Sequence, residues 1–216
     1  MSRVVKSILP ILAFTFALPA HSQIISVGIK GGIPATDAFQ GNFAGSYQRR
    51  YIVGPTAELH LPLHLSFEVD ALYRRNGFGA TSTTYAFGGP PFPPVLVVER
   101  ARLNDWQFPF LGKWEPGSGP IRPFIDAGVT YRHISGQNLA EFFSAPGSPS
   151  SQSEPAATNP NTVGATVGGG ITFKLLVLRL SPEIRYTHWT SPASVSVYVP
   201  AQMSPNQADF LVGFTF

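Results

Sequence analysis

A histidine followed closely by two hydroxyl side chains is the part of this sequence most suited to chemistry. In RYTHWTS (185–191), His188 precedes Thr190 by two residues and Ser191 by three. A histidine can activate a hydroxyl nucleophile when an acidic group orients its ring. No carboxylate is evident nearby on the same face of the segment. The pattern leaves open a hydrolase built around His188, and the simpler alternative is an interfacial pair of His188 and Trp189.

Other site chemistry is sparse. His60, Glu58 and Glu68 could hold a metal ion, but hydrogen bonding among polar groups is the simpler interpretation of these residues. The spacings HExxH, GxSxG and the P-loop are absent. The chain has no cysteine, which excludes disulfides, thiol catalysis and cysteine-ligated metals. We therefore expect no metal and no cofactor.

The N-terminal segment is typical of a secretory signal peptide. Arg3 and Lys6 precede an apolar run from Ile8 to Leu18, and Ala20 and Ser22 supply the small residues of a cleavage site. Cleavage after Ser22 predicts a signal peptide at 1–22 and one mature domain at 23–216. The mature domain then carries 13 basic and 12 acidic residues, a net charge of +1, so we expect no nucleic-acid partner.

Alternation of apolar and polar residues dominates the mature chain and predicts strands. It occurs in eight segments of about ten residues, at 24–33, 49–61, 64–74, 104–114, 121–132, 162–174, 178–187 and 206–216. Short connections, around Pro62, at 115–120 and around Leu176, alternate with long ones at 34–48, 75–99, 134–161 and 188–205. Tilted strands of about ten residues can cross a bilayer. We predict an all-β fold, an eight-stranded antiparallel transmembrane β-barrel with short periplasmic turns and four long extracellular loops.

Charges of both signs are interspersed on the polar face of these strands. In a soluble sandwich this face would meet water. In a small membrane barrel the apolar face meets lipid and the charges fill the lumen. The second interpretation predicts a structural charge network in the lumen, formed by Lys30, Arg50, Glu58, Glu68, Asp70, Arg74, Asp105, Lys113, Asp126, Arg132, Lys174, Arg179, Glu183, Arg185 and Asp209.

Aromatic residues near the predicted strand ends favour the membrane interpretation, because aromatic girdles lie at membrane interfaces. These residues are Tyr51, Tyr73, Trp106, Trp114, Tyr131 and Tyr186. The alternative is that they form the ordinary core of a sandwich.

Several stretches together resemble the bacterial outer membrane β-barrel domain family, which includes small OmpA/OmpX-like barrels. They are SVGIKGG, WQFPFLGKW followed by PFIDAGVTYRHISG, LSPEIRYTHW, and DFLVGFTF. The resemblance implies a Gram-negative outer-membrane location and contact with outer-membrane lipid and lipopolysaccharide. Phe210, Val212, Phe214 and the terminal Phe216 resemble the signal that the outer-membrane assembly machinery reads. They imply a closing strand that pairs with the segment 24–33.

Three functions remain open for such a barrel. It could be a closed scaffold that supports the membrane and presents its loops to an extracellular ligand. It could be a porin-like channel for small solutes or ions. It could also resemble outer-membrane lipid A deacylases around His188, although Thr190 stands where that family has serine. We favour the scaffold over the channel, because a dense charge set inside eight strands leaves no wide pore. We expect no enzyme, because the sequence offers little site chemistry.

Overall fold

The computed structural model describes residues 24–40, 45–46, 50–85, 94–144, 150–155, 159–191 and 202–216. The predicted signal peptide at 1–22 lies outside this part of the chain. Within it, no helix is long and apolar enough to cross a membrane.

The described residues are organised almost entirely as strands. In chain order these are β1 (Ile25–Pro34), β2 (Phe39–Gln40), β3 (Gly45–Ser46), β4 (Ile52–His60), β5 (Leu65–Asp70), β6 (Leu72–Tyr85), β7 (Pro94–Trp114), β8 (Ile121–Ser144), β9 (Ser150–Pro155), β10 (Asn161–Leu175), β11 (Leu178–Trp189), β12 (Gln202–Met203) and β13 (Asn206–Thr215).

Eight strand positions close into a barrel, with β5 and β6 forming one of them on either side of Ala71. The ring runs β1, β4, β5 with β6, β7, β8, β10, β11 and β13, and every pairing is antiparallel. It closes because β13 pairs with β1, from Gly28 opposite Thr215 to Pro34 opposite Asp209. The predicted eight-stranded antiparallel barrel is confirmed, and its last strand pairs with its first.

The two ends of the barrel differ, and we name them the turn end and the loop end. The turn end carries the short connections after β4, β7 and β10. Leu63 and His64 have φ of 65° and 63° in the first connection, and Leu176 has φ of 56° in the third. These left-handed conformations reverse the chain within a few residues. The loop end carries the long predicted connections.

Two predicted loops are wrong in part, because strands continue through them at the loop end. β6 runs to Tyr85, β7 begins at Pro94, β8 runs to Ser144, and β9 pairs along its edge. β7 has 21 residues and β8 has 24, about twice the length that crosses a bilayer. We call the projecting part the loop-end extension: 75–85 of β6, 94–104 of β7, 133–144 of β8, and β9.

The chemical character of the two faces of β7 reverses where this extension begins. Towards the turn end, Trp106, Phe110 and Trp114 point outwards and are exposed. In the extension, the outward positions hold Arg100 and Arg102 together with Leu96 and Val98. The inward positions change from mainly polar to mainly apolar over the same boundary, from Asp105, Gln107 and Lys113 to Val97, Ala101 and Leu103. Glu99 is the inward charge of β7 within the extension, and Leu111 is a buried apolar residue below it.

The neighbouring strand β8 reverses at the same level. Its outward residues Ile125, Val129 and Tyr131 are followed by His133 and Ser135. Its inward residues are mainly polar up to Arg132 and include the apolar Ile134 and Ala140 beyond it. Tyr131 lies opposite Phe108, and His133 lies opposite Trp106. Because the strand alternation continues without a break, the reversal marks a change in the surroundings and not in the backbone.

An apolar cluster fills the inside of the loop-end extension. Its buried members are Ala38, Phe39, Phe78, Ala80, Ala101, Leu103, Ile134 and Met203. The short ribbon of β2 and β12 brings Phe39 and Met203 to this cluster, and the rings of Phe39 and Phe78 meet edge to face at 5.3 Å. This part has a mainly apolar core, whereas the barrel below it is mainly polar inside, apart from a small apolar cluster of Ile52, Leu72 and Leu211.

Candidate functional site: the charged lumen

A central charge cluster crosses the lumen between distant strands. Lys30 Nζ in β1 lies 2.5 Å from Glu68 Oε1 in β5 and 3.0 Å from Glu183 Oε2 in β11. Arg185 in β11 donates to Asp70 at 2.7 Å, to Glu68 at 2.8 Å and to Glu183 at 2.5 Å. All five side chains are buried. Their charges are tolerated because each is paired and hydrogen-bonded.

Lys113 extends this cluster towards the turn end. Its Nζ lies 3.6 Å from Glu68 Oε2 and 3.5 Å from Glu58 Oε2. It also lies 4.2 Å from the ring centroid of Phe124, a cation–π distance. Glu58 accepts a hydrogen bond from Ser66 Oγ at 2.5 Å. Two carboxylates and an aromatic face therefore surround this buried ammonium group.

Asp126 lies against the same cluster. Its side chain is buried, and neither of its oxygens has a hydrogen-bond partner among the described residues. Gly168 leaves room for it, because a Cβ added there would lie 2.5 Å from Asp126 Oδ1 and 3.0 Å from Glu183 Oε1. A glycine in this strand thus accommodates two carboxylates side by side.

A second cluster lies nearer the loop end. Arg74 donates to Asp105 and to Gln207, both at 2.7 Å, and its Nη1 lies 3.9 Å from Asp209 Oδ1. Gln207 Oε1 also accepts from Trp189 Nε1 at 3.1 Å. This cluster connects β6, β7, β11 and β13 across the upper lumen.

Arg132 is held by an aromatic ring. Its guanidinium carbon lies 4.1 Å from the ring centroid of Trp189, and both side chains are buried. Its Nε and Nη2 have no hydrogen-bond partner in the described part of the chain. The ring face of Trp189 therefore partly replaces a carboxylate for this cation.

The structure brings most of the predicted lumen residues inside the barrel. Those buried there are Lys30, Glu58, Glu68, Asp70, Arg74, Asp105, Lys113, Asp126, Arg132, Glu183, Arg185 and Asp209. Lys174 and Arg179 lie at the turn end, partly exposed. Arg50 contradicts the prediction, because its side chain is 71% exposed and lies 3.6 Å from Asp37 Oδ1. β4 begins only at Ile52, so Arg50 precedes the strand that would have turned it inwards.

Two inward carboxylates were missed by sequence reasoning. Glu99 is fully buried and accepts from Asn138 Nδ2, but its segment was assigned to a loop. Glu115 follows the end of β7 by one residue and bonds to Arg122 and Thr172. Its signal was the continued alternation after Lys113, one position beyond the predicted strand.

The hydrogen bonds around His188 do not pair its ring with the hydroxyl of Thr190. Its Nδ1 donates to Asn206 Oδ1 at 2.8 Å, and Tyr186 Oη donates to the same oxygen at 2.8 Å. Thr190 Oγ1 donates to the backbone carbonyl of Val163 at 2.7 Å, so its proton is not shared with His188. The ring is thus oriented by an amide, and the nearest hydroxyl in the pattern is used by the backbone.

Aromatic residues form a continuous belt on the outward face at the level of the reversal. Ring centroids are 6.5 Å apart for Tyr51 and Tyr73, 5.0 Å for Tyr73 and Trp106, and 6.3 Å for Trp106 and Phe108. Phe108 and Tyr131 continue it at 6.3 Å. We call this belt the aromatic girdle.

Three tyrosine–asparagine hydrogen bonds lie at the level of the aromatic girdle. Tyr73, Tyr131 and Tyr186 each donate at 2.8 Å to an asparagine of the next barrel strand in the chain. The acceptors are Asn104, Asn161 and Asn206. Each pair therefore joins an apolar ring to a polar group at one height, as expected at a boundary between hydrocarbon and water.

No family model matches the chain, and no curated protein sequence matches it. Solved structures that are similar to it include the following three. Neisserial surface protein A is 12% identical with a TM-score of 0.47, covering 88% of this chain and 95% of its own. The N-terminal β-barrel domain of Pseudomonas aeruginosa OprF is 11% identical with a TM-score of 0.40, covering 90% and 98%. A major outer membrane protein from Thermus thermophilus is 11% identical with a TM-score of 0.43, covering 89% and 98%. By its own strand pairing, the chain is a closed, eight-stranded antiparallel β-barrel.

Proposed function

We propose that the chain is an integral outer-membrane β-barrel with a closed lumen, which acts as a scaffold for the loop-end extension. The observation that carries this proposal is the reversal of the two faces at the aromatic girdle. Below the girdle, charges are inside and exposed apolar side chains are outside. This arrangement is favourable only where the surroundings are less polar than the interior.

The size of the outward apolar belt supports a bilayer. On β8 the belt runs from Ile121 to Tyr131, about 33 Å along the strand at about 3.3 Å per residue. With a tilt of about 40° this corresponds to a height of about 25 Å, the height of the apolar band of outer-membrane barrels. Ile125 and Ile184, within this belt, are 60% and 67% exposed. Soluble monomers rarely expose so large a contiguous apolar surface.

The lumen contacts support a scaffold over a channel. Lys30 bonds to carboxylates of β5 and β11, so ion pairs cross the interior between strands that are not neighbours. Towards the loop end, the apolar cluster that includes Leu103, Ile134 and Met203 fills the extension. A conducting path would require both the ion-pair network and the apolar cluster to be displaced.

Planar-bilayer conductance of the refolded mature protein tests the closed lumen. Insertion is verified first by the heat-dependent shift of the folded band on a gel. We expect no discrete conductance steps, because the buried ion pairs leave no continuous water path. Stable, uniform channel openings from inserted protein would contradict the closed lumen and would favour the porin-like function.

The loop-end extension is the surface that we propose for an extracellular ligand. Its outward face combines the cations Arg100 and Arg102 with exposed Leu96, Leu139 and Phe143. Mixed cationic and apolar surfaces on a rigid sheet are suited to recognition. On this proposal lipid and lipopolysaccharide surround the barrel below it.

The outward row Phe210, Val212, Phe214 and Phe216 is proposed as the element that the assembly machinery recognises. The two phenylalanines within β13 are exposed on the lipid-facing side of the closing strand. A peptide that must be recognised before the barrel closes would present such a row along one edge.

A further inference from the structure

A polar cavity of about 340 Å³ opens at the turn end of the barrel. Its charged and titratable lining consists of His60, His64, Glu115, Arg122, Lys174 and Arg179. We call it the turn-end vestibule. A water molecule takes up about 30 Å³ of liquid, so the vestibule has room for a hydrated anion of several heavy atoms.

Two of its cations are placed directly against each other. Lys174 in β10 is the cross-strand partner of Arg179 in β11. Like charges at directly opposite positions of a sheet destabilise it. Arg122, opposite Thr172 on the other side of β10, adds a third positive charge to the same space. Without a counter-ion, the repulsion between these cations destabilises this part of the sheet.

The carboxylates nearby do not neutralise this pair. Glu115 is engaged by Arg122 at 3.1 Å and by Thr172 at 2.8 Å. Arg179 donates to His60 Nε2 at 2.6 Å, which uses the ring as a neutral acceptor. Lys174 forms no ion pair with any residue in the described part of the chain. The vestibule thus holds three cations and one carboxylate, which is already shared.

We infer that the turn-end vestibule is a binding site for an oxyanion of the phosphate or carboxylate class, held chiefly by Lys174 and Arg179. Such an anion accepts charge-assisted hydrogen bonds from both groups and removes the repulsion between them. The cavity supplies the space, and the unpaired ammonium group supplies the donor. This inference goes beyond the scaffold function and does not depend on it, because it rests on the barrel alone.

The test compares inorganic phosphate with chloride at equal ionic strength, using the refolded mature protein in uncharged detergent micelles. Phosphate that binds the folded state stabilises it in proportion to ln(1 + [phosphate]/Kd). The variants are Lys174→Gln and, as a matched control, Arg50→Gln, whose side chain is 71% exposed and lies outside both the vestibule and the proposed ligand surface. Unfolding in urea is followed by tryptophan fluorescence.

We expect phosphate to stabilise the wild type and Arg50→Gln equally. Lys174→Gln should weaken phosphate binding about tenfold or more, the loss of one hydrogen bond to a charged group. In chloride, Lys174→Gln should be at least as stable as the wild type, because the opposed cations are gone. A loss of stability in chloride would show that Lys174 has a partner within the protein, and would overturn the inference.

Two further outcomes show whether the stabilisation by phosphate is specific to the vestibule. Equal stabilisation of the wild type and Lys174→Gln by phosphate would be a general salt effect, and would overturn the inference, as would no stabilisation at all.

Vesicles of phosphatidylcholine with and without phosphatidic acid distinguish a lipid headgroup from a soluble anion as the natural ligand. If phosphatidic acid displaces inorganic phosphate from the wild type, the natural anion is a lipid headgroup. If it does not, while inorganic phosphate still binds, the anion is soluble.

Discussion

Replacement of Glu68 by alanine is expected to lower the free energy of unfolding by about 3–5 kcal/mol. Glu68 Oε1 lies 2.5 Å from Lys30 Nζ and 2.8 Å from Arg185 Nη2, and its Oε2 lies 3.6 Å from Lys113 Nζ. The substitution leaves three buried cations with one carboxylate fewer. Most of the cost is the uncompensated charge, since the lumen offers no bulk water to solvate it.

Asp37→Ala is the matched control for this loss of a carboxylate. The Asp37 side chain is 70% exposed and lies 3.6 Å from the equally exposed Arg50. Exposed ion pairs contribute only about 0–1 kcal/mol, so we expect a small change. Urea unfolding of both variants in lipid vesicles is the measurement. Similar stabilities for Glu68→Ala and Asp37→Ala would contradict the assignment of Glu68 to an essential buried network.

Phe110→Arg is expected to cost about 2–4 kcal/mol in a bilayer, the range for a cation on the lipid face at the midplane of a β-barrel. Phe110 points outwards on β7, midway between Trp106 and Trp114. Its cross-strand neighbours Val69 and Val129 are apolar. Arginine here would therefore be surrounded by hydrocarbon and by apolar side chains.

Leu96→Arg provides the control on the same strand and the same face. Leu96 is 41% exposed and Phe110 is 42% exposed, but Leu96 lies in the loop-end extension, beyond the girdle. Its cross-strand neighbours are Thr83 and Phe143, so the new charge meets no like charge there. We expect a change within about 0.5 kcal/mol, as for other surface substitutions. If the two variants unfolded alike in vesicles, the belt around Phe110 would not be in lipid.

The barrel could be predicted from the sequence because alternation with period two survives everywhere in it. The pattern also placed the last strand, since Phe210 and Phe214 share one face of the closing strand. The loop-end extension could not be predicted in the same way. Around Val97, Ala101 and Leu103 the alternation persists, but the apolar side now points inwards, so a search for outward apolar rows places the strand end too early.

The sequence could predict which residues point into the lumen, but not which of them contact each other. Alternation alone turns Glu68 and Arg185 inwards. Their pairing depends on the tilt and stagger of the whole barrel, which bring together Lys30 and Glu183, separated by 153 positions in the chain. Likewise, nothing local indicates that Arg132 will rest on the ring of Trp189. Errors such as Arg50 arise at strand ends, where boundaries are least well defined.

Quenching of single tryptophans by brominated lipids tests most directly whether the outward belt lies in a membrane. Trp106 is 39% exposed in the girdle, whereas Trp189 is 1% exposed inside the barrel. One variant keeps only Trp106 and the other keeps only Trp189, with phenylalanine at the remaining tryptophan positions. In vesicles we predict strong quenching of Trp106 by bromines placed near the headgroups, and little quenching of Trp189. Absence of quenching at Trp106 in folded, vesicle-bound protein would contradict the membrane barrel.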